Sequence, residues 1–345
     1  MTLSENLSKV PVKNIFYMLV YAWDYPHEKD FISVFEEDEK DLINLLSKVL
    51  VMKVKGLIKK GFYKEYVETQ SQSSIIKGKI IFKDTIQTFS YKKGKMHILE
   101  EDMTHDILHN QLIKATLHYL IKQEVIKKET REDITRLLSY FVDISLIKVS
   151  SRLFNEVNLH RTNKHYHFLL NFCQFIWESV LIHEGSSEKM FQDVSREHQK
   201  MAQLFESFVK NFYKRELPGS IVKSESLYWP AEGENTELLP IMKTDISLEY
   251  ENEKIIIDTK FYKDMFIDRW EVEKVRSNHL YQIFSYLKTD EYYTKRKSKG
   301  ILLYPKVYDS IDLKYRIHGF EVRICTLDLN QHWSRIHERL LELVF

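Results

Sequence analysis

Residues 239–262, LPIMKTDISLEYENEKIIIDTKFY, constrain the fold more than any other stretch. Alternation marks a first strand, with Met242, Thr244, Ile246 and Leu248 on one side and Lys243, Asp245, Ser247 and Glu249 on the other. A polar turn at Tyr250-Glu251-Asn252-Glu253 follows. In the second strand Ile255, Ile257 and Phe261 share one face, and Ile256, Asp258 and Lys260 share the other. Folding the hairpin at Glu251-Asn252 sets Tyr250 against Glu253 and Asp245 against Asp258. Two carboxylates then sit on directly opposed residues, with Cα atoms ~4.5–5.5 Å apart. Opposed like charges destabilise a ladder unless something resolves the repulsion. A divalent cation resolves it, because Mg²⁺ is held by one or two carboxylates plus waters and phosphate oxygens. Lys260 beside them can orient a water or steady charge developing on phosphorus. The set fits metal-assisted phosphodiester hydrolysis. A hairpin with one solvated polar face gives the same alternation, and spacing alone leaves both readings open. The apolar runs Ile255-Ile256-Ile257 and Ile246-Ser247-Leu248 point to interior strands, where charges are seldom left unpaired.

The 345 residues are enough for two domains with separate cores. A net charge of +1 gives no overall pull toward nucleic acid, so any DNA contact must rest on local patches. Cys173 and Cys325 both lie in apolar surroundings, which argues against a disulfide framework or a thiolate zinc site and for a reducing compartment. The polar start MTLSENLSKV does not read as a signal peptide. The best candidate for a membrane span, Phe168 to Ile182, is interrupted by Asn171, Gln174 and Glu178. The expected location is the cytoplasm, with no membrane partner.

Along the chain, a helix is expected after Pro11, within Val10 to Trp23, and another over Asp41 to Leu57. Phe62 to Phe89 reads as extended, Thr104 to Lys127 and Glu132 to Tyr140 as helical, and Ile144 to Ser150 as a strand. Gly185-Ser186-Ser187 breaks the pattern, which sets a domain boundary there. Glu197 to Glu216 forms a helix with Met201, Leu204, Phe205, Phe208, Val209 and Phe212 on one face, ended by Leu217-Pro218-Gly219. A strand at Ser220 to Trp229, the hairpin, a helix over Glu271 to Leu287, strands at Gly300 to Tyr304 and Phe320 to Leu327, and a helix over Trp333 to Val344 complete the chain. The expected architecture is an α+β N-terminal domain (1–184) followed by an α/β domain (185–345) whose mixed central sheet is flanked by helices.

Other side chains can serve the hairpin. Glu206 is either a solvated residue beside the apolar stripe or a third acidic group reaching the metal; helix phase leaves both open. Gln282 and Tyr286, four apart, share a helix face and can position water or phosphate, or form a plain helix rim. His165 and His167 read better as structural histidines than as a metal pair. The basic run Lys295-Arg296-Lys297-Ser298-Lys299, like Lys53, Lys55, Lys59 and Lys60, reads as a solvated surface before it reads as a DNA contact. Walker A, GxGxxG, HExxH and GxSxG sequences are all absent, so any nucleotide energy must come from a partner.

The pair TD…DTK resembles the PD-(D/E)xK nuclease signature, and Gln282…Tyr286 resembles the QxxxY extension of a subset of that superfamily. Thr244 stands where proline is usual and Asp258 where glutamate often stands; the superfamily tolerates both. At a closer level, VPVKNIFYMLVYAWDY, IKGKIIFKDTI, LLPIMKTDISL, IIIDTKFYK, HLYQIFSYL, GILLYPKV and HGFEVRICTLDL resemble the McrC subunits of McrBC methylation-dependent restriction systems, nearly end to end. That resemblance implies a PD-(D/E)xK endonuclease domain at 185–345 that uses Mg²⁺. Asp245, Asp258 and Glu206 would hold the metal, and Lys260, Gln282 and Tyr286 would act on substrate or water. It implies an N-terminal domain docked on a McrB-type AAA+ GTPase hexamer, which binds the GTP and recognises double-stranded DNA with modified cytosine. The alternative is a subunit that chiefly activates the GTPase and bridges the complex, with little or no cutting of its own.

Overall fold

The structure is a computed structural model, which describes residues 10–25, 42–180, 187–261, 266–269, 272–306 and 310–345. The chain divides into two compact units. One is Asp41–Glu184; the other joins Met1–Lys40 to Gly185–Phe345. The expected Gly185-Ser186 break lies outside the described residues.

Helix α1 (Val12–Ala22) opens the chain. It is apolar on nearly every face, and Phe16, Tyr17, Met18, Leu19, Val20 and Tyr21 are all at most 1% exposed. A helix hydrophobic all round must be enclosed by other elements. Although it comes first in sequence, it belongs with the C-terminal residues, which departs from the contiguous 1–184 and 185–345 division. The reason is aromatic packing: Tyr17 meets Phe208 and Trp333 at 5.6 and 5.7 Å, and Tyr21 meets Phe212 at 5.4 Å. The buried Asn14 amide donates to the carbonyls of Leu329 (2.8 Å) and Gln331 (2.6 Å), which satisfies its NH₂ group.

The Asp41–Glu184 unit is α+β. In order it contains α2 (Leu42–Lys60), β1 (Glu65–Ser73), β2 (Lys79–Ile80), α3 (Phe82–Gln87), β3 (Met96–Thr104), α4 (Leu108–Leu120), α5 (Lys128–Leu138), α6 (Ser151–Glu156) and α7 (Tyr166–Val180). The strands form an antiparallel sheet ordered β1-β3-β2. Gly78 precedes β2 with φ +76°, and a Cβ there would fall 2.1 Å from the Leu99 carbonyl oxygen, so only glycine fits. Residues 82–87, expected to be extended, are helical, and residues 144–150 form no strand.

The second unit continues with α8 (Ser187–Glu216), β4 (Ile221–Lys223), β5 (Ser226–Leu227), β6 (Met242–Lys243), β7 (Ile246–Tyr250), β8 (Glu253–Thr259), β9 (Phe266–Arg269), β10 (Val272–Val275), α9 (Ser277–Thr294), β11 (Lys299–Pro305), β12 (Asp312–Ile317), β13 (Phe320–Leu327) and α10 (Trp333–Glu342). Six strands form one mixed sheet ordered β12-β13-β11-β8-β7-β4. β8, β11 and β13 run parallel, while β12, β7 and β4 are antiparallel to their neighbours. Helix α9 is the crossover between the parallel strands β8 and β11. It packs close enough that a Cβ at Gly300 would meet Leu287 at 2.9 Å and Ile283 at 3.0 Å. Ile256, Ile283, Leu287, Leu302, Val322 and Ile324 form the core on that side. Helix α9 begins at Ser277 rather than Glu271, because Val272–Val275 pairs as a strand with Phe266–Arg269. No helix among the described residues is long and apolar enough to cross a membrane.

Candidate active site

The hairpin has the register that its sequence predicts. Ile246 pairs with Ile257, Ser247 with Ile256 and Tyr250 with Glu253. Glu251 and Asn252 both take positive φ (47° and 67°), as a tight turn between right-twisted strands requires. Both faces of its interior residues are covered: Ile246, Ser247, Leu248, Ile255, Ile256, Ile257 and Asp258 are all buried. The polar group on this hairpin is therefore not a solvated face.

Asp258 stands near the C-terminal end of β8, where open α/β sheets place their ligands, and is 0% exposed. Lys260 Nζ lies 2.7 Å from its Oδ2. Neither carboxylate oxygen has a partner in hydrogen-bonding geometry. Burial pushes the Asp258 carboxyl up to about 7; Lys260 opposes the shift, and Asp245 and Glu206 add to it. Asp245 lies one residue before the paired part of β7. Its Oδ2 accepts from the Thr259 backbone N–H (2.8 Å) and the Thr259 hydroxyl (2.9 Å). The Lys260 N–H donates to the Leu303 carbonyl at 2.9 Å, so β11 fixes where that side chain leaves the sheet.

Glu206 comes from α8. Burial raises its pKa first and the charge of Asp245 second, while Lys210, Lys243 and Lys260 oppose the shift. The charge of Asp245 reaches it, but Glu206, Asp245 and Asp258 are not placed as one three-acid metal group. Tyr286 is buried, and burial pushes its hydroxyl up to about 12. That hydroxyl donates to the Lys243 carbonyl at 2.9 Å and accepts from Gln282 Nε2 at 2.7 Å. The two residues thus tie α9 to β6, two residues before Asp245. His165 and His167 join no cluster: among the described residues no group of three or more His, Cys, Asp or Glu side chains is placed to hold a metal ion. The acidic set at the hairpin is smaller, two carboxylates with a third acid nearby. It fits a cation that keeps several waters, and the unpartnered oxygens of Asp258 are what such a cation would satisfy.

Sequence reasoning missed four neighbours. His279 is buried beside Tyr304 (2.9 Å), and burial, then Lys260 and Arg276, push it down to about 4. Lys210, Ser224 and Thr259 reach the site through hydrogen bonds. Only Thr259 left a signal, since the hairpin register that opposes 245 and 258 also opposes 244 and 259.

The fold and site define a mixed α/β unit with a carboxylate–lysine cluster on the central hairpin of its sheet. The profile of the McrBC 5-methylcytosine restriction system component family matches residues 4–305, and the chain belongs to that family. It is 31% identical over 337 residues to the Type IV methyl-directed restriction enzyme EcoKMcrBC of Escherichia coli (strain K12), covering 97% of each chain. Among solved structures, it resembles a chain in a half-complex from the tetradecameric assembly of Thermococcus gammatolerans McrB AAA+ hexamers with bound McrC. That match has a TM-score of 0.57 at 14% identity, over 97% of this chain and 76% of that one, and it speaks to the fold alone.

Proposed function

We propose that the chain is the Mg²⁺-dependent endonuclease subunit of a GTP-dependent restriction complex that cuts DNA containing modified cytosine. One observation carries the reading: a fully buried carboxylate that has a lysine 2.7 Å from one oxygen but neither oxygen in hydrogen-bonding geometry, with a second aspartate on the same central hairpin. Such a group, compensated only in part by the lysine, is costly to the fold and points to a function or a further counter-ion. Asp245 and Asp258 would hold Mg²⁺, with Glu206 as a further acidic contact. Bound there, the ion would supply an acidified water and neutralise charge on phosphate oxygens. Lys260 orients the attacking water or stabilises charge on phosphorus. Tyr286 and Gln282 fix the strand that enters the site.

The partner on this reading is a McrB-type AAA+ GTPase hexamer, which supplies the GTP site that this sequence lacks. Family membership supports it, as does the likeness to a chain solved with McrB hexamers. Incubating the chain with the partner, GTP, Mg²⁺ and methylated DNA tests it. Cutting is expected only when all four are present. GTPase stimulation with no cutting under any condition would favour the bridging subunit, and cutting without partner or GTP a stand-alone nuclease.

Tyr286→Phe keeps the ring packing and removes the hydroxyl. Cleavage should fall about tenfold through displacement of the Lys243 strand, at a stability cost of about 1 kcal/mol. A cleavage assay beside a denaturant melt checks both; unchanged cutting would remove Tyr286 from the site's support.

A further inference from the structure

Asp245 is held by more than its own strand. Residues Ser224 and Glu225, between β4 and β5, form a strap against it. The Ser224 hydroxyl donates to the Asp245 carbonyl at 2.7 Å. The Thr244 N–H donates to the Glu225 carbonyl at 3.0 Å. The Glu225 N–H donates back to the Thr244 hydroxyl at 2.9 Å, and that hydroxyl lies 3.0 Å from Ser247 Oγ. Thr244 is 1% exposed, so water cannot replace these bonds. The strap is clamped in turn. Lys210 Nζ, from α8, donates to Ser224 Oγ at 2.8 Å. The Glu225 carboxylate pairs with Lys254 at 2.7 Å and Lys223 at 3.1 Å, and Lys254 also reaches Asp290 on α9 at 2.6 Å. Both flanking helices thus converge on the backbone that carries Asp245.

We propose that Thr244 is a positioning residue: acting through the Ser224-Glu225 strap, its hydroxyl and N–H hold Asp245 in place to share a divalent cation with Asp258. The proposal rests on the metal-site reading above. A fold that only needed strand pairing at this point could use the backbone alone. Here a side-chain hydroxyl takes the place of a carbonyl acceptor, so one of the bonds that fix the register of Asp245 runs to a side-chain oxygen.

The test is Mn²⁺ binding to the whole chain at pH 8, measured by calorimetry without DNA or partner. Thr244→Val deletes the hydroxyl at constant shape and should weaken Mn²⁺ about tenfold, the usual loss when an outer support of a ligand goes. Thr244→Ser keeps the hydroxyl and should bind within about twofold of the parent chain. Thr116→Val serves as control. It deletes another buried hydroxyl, bonded to Leu112 and Trp177 in the Asp41–Glu184 unit, and should leave Mn²⁺ affinity unchanged. A folded Thr244→Val chain that binds Mn²⁺ as tightly as the parent overturns the proposal while leaving the metal site standing. A parent chain that binds no Mn²⁺ overturns the metal site, and the proposal with it. Should Thr244→Val not fold, the half-buried Ser224→Ala decides: about fivefold weaker binding, the worth of one hydrogen bond, is expected, and unchanged affinity overturns the strap.

Discussion

Asp258→Asn is expected to abolish DNA cleavage and, at the same time, to stabilise the metal-free chain at pH 8. The two effects have one cause. The carboxyl sits at 0% exposure with the Lys260 ammonium 2.7 Å from one oxygen and neither oxygen in hydrogen-bonding geometry, and burial carries it from 3.8 to about 7. A carboxyl raised in the folded state favours folding below its unfolded value, and that contribution is lost as pH rises through about 7. The full shift corresponds to about 4 kcal/mol. Asparagine still carries a polar group into the interior, so about half of that should return. The variant should therefore melt roughly 4–8 °C higher than the parent at pH 8. At pH 5, where Asp258 is already protonated in the fold, the difference should be small. Millimolar Mg²⁺ should reverse the order, because only the parent gains stability by binding. Equal melting at pH 8 in the absence of metal would mean that Asp258 is compensated in a way the geometry does not reveal. Asp245→Ala and Lys260→Ala should also abolish cutting, without the stability gain.

The second large effect concerns α1. Truncating the chain at residue 184 should not yield a folded nuclease unit, because it removes a helix whose aromatic residues lie within the core of residues 185–345. Tyr17 and Tyr21 alone pack on Phe208, Phe212 and Trp333, and each fully buried large side chain contributes about 1.5–3 kcal/mol. Losing the six buried side chains of the helix removes about 9–18 kcal/mol, comparable with the ~5–15 kcal/mol that holds an ordinary domain together. The informative chain keeps residues 1–41 and replaces 42–180 with a flexible Gly/Ser linker. Circular dichroism melts should find that chain cooperatively folded and the 185–345 fragment not. On the expectation that the N-terminal domain (1–184) docks on the GTPase, the linker chain, which lacks most of it, should also lose GTPase stimulation. A well-folded 185–345 fragment would contradict the role given to α1. Persistent stimulation by the linker chain would move the docking surface into the nuclease unit.

Much of this was legible in the sequence where local pattern and local structure coincide. The hairpin is the clearest case: alternation gave its faces, the polar turn gave its register, and the register brought Asp245 and Asp258 to the same end of the sheet. Elsewhere the pattern was local and the structure was not. Helix α1 announces that it is buried but not by what, and its partners lie about 190 and 320 residues away along the chain. Strand β12, DLKYRI, was missed because it is an exposed edge strand paired only with β13, so its residues carry no buried face to betray them. The start of α9 was misplaced because VEKV reads equally as a helical turn or a short strand. At the site, charged residues could be listed from spacing. The supports could not, because Ser224, Thr244 and Thr259 act through hydrogen bonds that exist only after the strands meet.

The most direct test is anomalous diffraction from crystals of the chain grown with Mn²⁺. The account predicts a peak bonded to side-chain oxygens of both Asp245 and Asp258, at about 2.1–2.3 Å, with Lys260 drawn off Asp258 toward the space a phosphate would fill. Saturating Mn²⁺ with no peak between those two carboxylates, and Lys260 still seated on Asp258, would contradict it.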